Sequence, residues 1–291
     1  MFAEFLQYLF SGLTSGAIYA LAGLGFAIIY NASNVINFAQ GEFIMIGGMT
    51  AASLVAAGTP LWLAVALALV VAMLVGIALE RLAIEPARDS DVVTIVIITI
   101  GASIFLRGAA QVIWDKEFHS LPAFSGETPI ALSGATLMPQ SLWVIGSSAL
   151  AIAALWWFFN RTLFGKAMLA TSHNRLAAQL VGIGVKRVLL ASFALSALLG
   201  AVAGVVVTPI TFTSYESGIM LGLKGFSAAV LGGLGSGLGA IVGGLIVGLV
   251  EALASGYLSS AYKDAIAFII ILFVLFFMPS GLFGRRGTDR V

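Results

Sequence analysis

Four polar side chains near the start of the chain, Asn34, Asn37, Gln40 and Glu42, interrupt sequence that is otherwise apolar. Asn34, Asn37 and Gln40 fall at three-residue steps, so on a helical turn they would share one face. Amides on one face can line a polar passage or hydrogen-bond between helices as packing glue, and both readings stand. Glu42 is one of three charged side chains in or near apolar runs, with Arg107 and Glu251. A charge in hydrocarbon is costly, so each should face protein or water. Arg107 sits close enough to the end of its run for its long stem to reach the interface, which is a structural role. Glu42 is the candidate for function.

Other chemistry is excluded by what is missing. No G-x-x-x-x-G-K-[ST] loop occurs, so the chain does not bind ATP by that means. There is no Gly-x-Ser-x-Gly elbow, no His-Glu-x-x-His helix and no paired set of intramembrane carboxylates, which argues against an enzyme. With 0 cysteines there is no disulfide, thiolate metal site or cysteine nucleophile. His119 and His173 each lack a second ligand at helical or turn spacing and are expected to be solvated side chains. A net charge of +1 gives no reason to expect nucleic acid.

The elements that must position these side chains are membrane spans. The chain is 60% hydrophobic and 9% charged, which makes it an integral membrane protein, expected to be all-α and a single transmembrane domain over 1–291. Apolar runs fall at 5–30, 41–57, 60–80, 92–114, 140–159, 188–208, 225–257 and 263–279, giving about eight crossing segments. The first run has no basic residue before it and is read as a retained span, not a signal peptide. The run at 225–257 is too short for two full crossings and too long for one. Gly232, Gly233, Gly235, Gly237 and Gly239 break it near its first third, so a half-helix, a Gly-rich break and a returning helix would fit. The alternative is one kinked helix packed through Gly235, Gly239, Gly243 and Gly244. Gly41-x-Phe43-x-x-x-Gly47-Gly48 faintly echoes Gly225-Phe226 and Gly232-Gly233. Paired broken segments in the two halves of a transporter point to a substrate path, here Asn34, Asn37, Gln40, Glu42, Gly232 and Gly233.

Between the fifth and sixth runs lies a polar stretch, 160–187, that no lipid core could hold. Ala167, Ala170, Ala177, Ala178, Leu180 and Val181 recur at helical steps there, predicting a short helix with a small apolar face, ended by Gly182 and Gly184. Such a helix suits docking on another protein; a basic loop that only sets topology is the other reading. With consecutive loops on alternate sides, ten Lys and Arg (Arg81, Arg88, Arg161, Lys166, Arg175, Lys186, Arg187, Arg285, Arg286, Arg290) oppose three (Lys116, Lys224, Lys263). The positive-inside bias puts 160–187 and the C-terminus in the cytoplasm, and the loop 115–139 outside.

Several motifs carry a resemblance. Thr162-x-x-Gly165-x-Ala167-x-x-Ala170, then Asn174-Arg175-x-x-Ala178-x-Leu180-x-Gly182-Ile183, resembles the coupling-helix loop of the permease subunits of branched-chain amino acid ABC importers. Asn37-Phe38-Ala39-Gln40-Gly41-Glu42-Phe43 and Ala229-Val230-Leu231-Gly232-Gly233-Leu234-Gly235-Ser236 extend the match, in order, over nearly the whole chain. It resembles the shorter of the two permease types. Leu169 departs from the pattern, where relatives often carry Arg. The resemblance implies a non-catalytic permease subunit in a bacterial plasma (inner) membrane, acting by alternating access. It implies a paralogous second permease, two cytoplasmic ATPases that hydrolyse the ATP, and an extracytoplasmic solute-binding protein. The coupling residues it implies are Gly165, Ala170, Asn174, Arg175, Ala178, Leu180 and Gly182. No cofactor is expected on the chain itself. A secondary carrier driven by an ion gradient is the competing reading, since it also uses broken helices.

Overall fold

In hydrocarbon the backbone must satisfy its own hydrogen bonds, so the long apolar runs become helices and irregular chain survives only where protein covers it. The computed structural model describes residues 2–284 apart from residues 89 and 133. Arg285, Arg286 and Arg290 of the basic count lie outside the described residues.

The 32-residue α1 (Phe2–Ser33) is the axis of the bundle, with 89% of its most apolar window buried. It packs on α10 (Gly237–Tyr257) through glycines. A Cβ at Gly16 would lie 2.9 Å from the Leu245 Cα, and Gly244 and Gly248 meet α1 as closely. Backbones this near each other need small residues at the contact. The same device joins α2 (Gln40–Ala56) to α8 (Val185–Thr211), where a Cβ at Gly200 would sit 2.8 Å from that of Phe43. The helix α3 (Leu61–Leu79) buries a stripe of Ala64, Ala68, Ala72 and Gly76, with Gly76 on α8, and runs on into a π-helical turn at Glu80–Ile84. Its remaining face is apolar and exposed, as are most of α4 (Val92–Trp114) and α5 (Pro139–Arg161), the side of each that lipid or another subunit must cover.

The connection 115–138 holds a small antiparallel hairpin, β1 (Ile130–Leu132) with β2 (Ala135–Leu137). It is tied to the stretch after α8 by paired backbone bonds between His119 and Thr213, at 2.8 and 2.9 Å. After α5 come α6 (Leu163–His173) and α7 (Arg175–Leu180), where one helix was predicted. The break is chemical. The Asn174 side chain accepts from Ala177 N at 2.9 Å and caps a new helix in place of continuing the old one.

The run 225–257 is divided at residues 233–236, where Gly233 (φ 102°) and Gly235 (φ 86°) take up conformations that other residues adopt only with strain. The short helix before it, α9 (Ser217–Gly232), begins eight residues earlier than the apolar run suggested, because Lys224 lies inside it. That corrects the charge count, since Lys224 was placed in an exterior loop and is instead 6% exposed. The last helix is α11 (Lys263–Phe277), and beyond it Leu282 N and Phe283 N donate to Leu231 O and Gly232 O, each at 2.9 Å.

Six helices among the described residues are long and apolar enough to cross a membrane: α1, α3 with its π turn, α4, α5, α8 and α10. The short helices α2, α9 and α11 have 17, 16 and 15 residues, below the ~20 that a crossing needs. The sequence count of about eight therefore mixed full and short segments.

Candidate functional site

The polar residues at the start of α2 divide into distinct environments. They share no helical face, because 34–39 is not helical. Asn34 is exposed at φ 58° and its N–H bonds to Tyr30 O at 2.7 Å, so it terminates α1. Gln40 is fully buried and glues helices together. Its Nε2 donates to Ser196 O at 3.2 Å, and the single Ser196 O–H lies within reach of both Gln40 Oε1 and Gly25 O. Both polar atoms of its amide therefore have a partner on α8. Of the two roles open for the amides, Gln40 has the packing role.

Asn37 and Glu42 are different, because each lines a cavity and has a buried polar atom without a partner. Asn37 is fully buried; its Oδ1 accepts from Ala39 N at 3.1 Å while Nδ2 has no partner. It lines a cavity of about 180 Å³ with Arg88, Thr99 and Arg175. Glu42 is 2% exposed, with Oε1 accepting from Ser103 Oγ at 2.8 Å and lying 3.4 Å from Arg107 Nε, while Oε2 has no partner. It lines a second cavity, about 170 Å³, whose walls include Phe26, Phe38 and Phe226. Glu42 sits in the first turn of α2, where unpaired N–H groups favour a negative charge.

The two cavities run in sequence along the seam between α2 and α4. Asn37 and Thr99 line the first, while the next residues, Phe38 and Ile100, line the second. A bond from Phe38 N to Thr99 Oγ1, 3.2 Å, closes the wall between them. The floor is set by close backbone contact. A Cβ at Gly41 would fall on the Gly218 carbonyl of α9, and one at Gly222 would lie 2.9 Å from Gly41 Cα. Gly232 and Gly233 are elsewhere: Gly232 packs on Gly239, and Gly233 packs on Gly284. They form the crossing of α9, α10 and the C-terminal tail and line neither cavity.

A larger cavity of about 370 Å³ lies between α1, α5, α6 and α10. Leu24, Ile28, Trp156, Met168 and Ile241 make its walls mostly apolar, so it offers little to a charged solute.

Sequence reasoning treated Arg107 alone and missed its partners. Ser103 and Arg107 are four residues apart on α4, a spacing that would have placed both on the face that meets Glu42. It also missed a buried ion cluster. Lys224 Nζ lies 2.9 Å from Glu251 Oε1, 2.7 Å from Asp264 Oδ1 and 3.2 Å from Tyr19 OH, and Tyr19 donates to Glu251 Oε2 at 2.8 Å. Lys263 stands 3.6 Å from Glu251. Tyr19 gave no signal, being one hydroxyl in a long apolar run.

At the end of the bundle with Arg88 and Arg175, Glu85 bridges Arg81 (2.8 Å) and Lys186 (3.1 Å). Gly165 packs against Phe158 and Phe159 to fold α6 tightly onto α5, its N–H capped by Thr162 Oγ1 at 2.9 Å. Ala170 is exposed, and Gly182 ends the α7 turn at φ 85°. Ala178 faces inward at 3% exposure, so its side chain is not on the outer surface where the docking stripe was expected. The exposed apolar residues of α7 and its end are Leu176 (67%), Leu180 (80%) and Val181 (77%).

Comparison with known proteins places these features in a family. Residues 8–275 match the family model for the branched-chain amino acid transport system / permease component. The chain is 37% identical to the high-affinity branched-chain amino acid transport system permease protein LivH of Escherichia coli (strain K12), across all of this chain and 99% of that protein. It is 32% identical to the corresponding protein BraD of Pseudomonas aeruginosa, across 99% and 98%. Among solved structures, PsaBC from Streptococcus pneumoniae in complex with Fab is similar in fold, with a TM-score of 0.53 over 98% of both chains at 15% identity.

Proposed function

The chain belongs to the family of branched-chain amino acid transport system permease components and is a multi-pass membrane protein, and on that premise we propose that it is one permease subunit of an ATP-driven importer of branched-chain amino acids. The whole of 1–291 acts as a single permease domain. It forms half of the translocation path in a bacterial plasma membrane, beside a second, paralogous permease, with an extracytoplasmic binding protein delivering the solute. Two cytoplasmic ATPases supply the energy and this chain does no hydrolysis.

The observation that carries the path is the pair of cavities on either side of the Phe38–Thr99 contact, each lined by a residue with an unpartnered buried polar atom. Buried polar groups are normally satisfied, so such atoms invite a polar visitor or water. A path closed at one wall is what alternating access requires at a single moment. Arg175 of α7 lines the first cavity with Asn37, so a movement of α6 and α7 would reach the path directly. We assign α6 and α7 as the coupling element. Three largely exposed apolar side chains on a short helix beside a basic cluster fit a protein surface that buries them.

The test is assembly and drive. The pair Leu176→Glu and Leu180→Glu should leave membrane insertion intact, yet the permease should no longer co-purify with its ATPase and ATP-dependent leucine uptake should be lost. Leucine accumulation by the isolated chain on an ion gradient alone would establish a secondary carrier instead.

A further inference from the structure

The cavity at Glu42 carries two opposite charges and an aromatic wall, and this combination has a chemical reading. Glu42 presents one carboxylate oxygen to Ser103 and leaves Oε2 without a partner. Arg107 Nε stands 3.4 Å from Oε1, and this side chain is 29% exposed against 2% for Glu42. The pair is thus asymmetric, with the acid buried in α2 and the guanidinium partly exposed, its Nε without a hydrogen-bond partner. Beside them the Phe226 ring packs at a tilt against both Phe26 and Phe38, with ring centroids 5.7 and 5.8 Å away.

We propose that this cavity is a subsite for the amino acid itself: Glu42 takes the α-ammonium group, Arg107 takes the α-carboxylate, and Phe26, Phe38 and Phe226 receive the aliphatic side chain. The proposal rests on the permease reading above and names the groups by which that path would hold its solute. A zwitterion entering between an acid and a base exchanges one neutral pair for two, so no charge is left unpaired at any stage. The unused Oε2 offers an acceptor, and the guanidinium offers a fork that matches a carboxylate. Gly41, Gly218 and Gly222 line the cavity where α2 and α9 meet backbone to backbone. A solute lacking either charge would strand Glu42 or Arg107 in a desolvated site, and it is discriminated against for that reason.

The chain has no cysteine, so a single thiol reports on the cavity. In the fully assembled importer, Ile100→Cys at the cavity wall is labelled with N-ethylmaleimide in the presence of leucine, of 4-methylpentanoate, which lacks the ammonium group, or of 3-methylbutylamine, which lacks the carboxylate. Leucine should slow labelling roughly fivefold or more, and each half-charged analogue by less than about twofold. Glu42→Gln and Arg107→Gln should each remove the leucine effect while the complex still assembles. If Ile100→Cys lowers uptake, Leu223→Cys on the facing wall replaces it. Protection that survives both charge substitutions, or none in a complex that imports leucine normally, overturns the subsite and leaves the permease reading standing. A complex that imports no α-amino acid overturns both.

Discussion

Replacing Lys224 by Met would leave a buried carboxylate, Glu251, and a partly exposed one, Asp264, with too little positive charge. Lys224 is the hub of the cluster, touching Glu251, Asp264 and Tyr19 within 3.2 Å, and its side chain is 8% exposed, as is that of Glu251. Without it, Glu251 keeps the Tyr19 hydroxyl and a more distant Lys263 at 3.6 Å, while Asp264 loses its 2.7 Å ion pair. Removing one partner of a buried pair costs about 3–5 kcal/mol, mostly from the charge left behind. At about 2–4 °C per kcal/mol for a large domain, Tm in detergent should fall by roughly 6–20 °C. The double variant Lys224→Met, Glu251→Gln leaves Lys263 and Asp264 in balance and should recover at least half of that loss. The assay is a thermal unfolding cycle of wild type, both single variants and the double variant. A single variant as stable as wild type, or a double variant that is simply additive, would refute the claim that charge balance holds α9, α10 and α11 together.

Two further outcomes are open to measurement. Single cysteines at Ser172 and Ser125 should react with an impermeant maleimide from opposite sides of the membrane, and labelling of Ser172→Cys in intact cells would reverse the proposed orientation. Hydrogen bonds from Lys186 and then Arg81 hold the Glu85 carboxyl below the usual carboxylate range, so its contribution is present above the ordinary Glu value of about 4.3 and is lost as pH falls through the depressed one. Thermal stability of wild type should therefore converge on that of Glu85→Gln as pH is lowered from 5 to below the depressed value, and a constant gap over that range would remove Glu85 from the junction of α3 and α8.

The sequence was most legible where a rule depends on length or on one residue type. Apolar runs of about a bilayer gave the six long helices, and the glycines at 233 and 235 gave the division of the C-terminal third. It was least legible where helices too short to cross are buried by neighbours, because the apolar count of α9 is interrupted by a lysine whose partners, Tyr19 and Glu251, lie 205 and 27 residues away. No local window contains such a pair. The family-like motifs led to Asn37 and Glu42, which line the cavities, but the same motifs also held Gln40, Gly232 and Ala178, which pack the bundle. A motif names positions that resist change, and close packing resists change as strongly as chemistry does.

The bonds from residues 282 and 283 to the end of α9 have a consequence for the order in which the protein is made. A nascent chain presents α9 before residues 282 and 283, so Leu231 O and Gly232 O lack these two donors while α10 and α11 are synthesised. Only when the tail folds back do Leu231 O and Gly232 O receive their donors. The helix that forms the floor of the candidate path is thus among the last to be sealed though not the last to be translated.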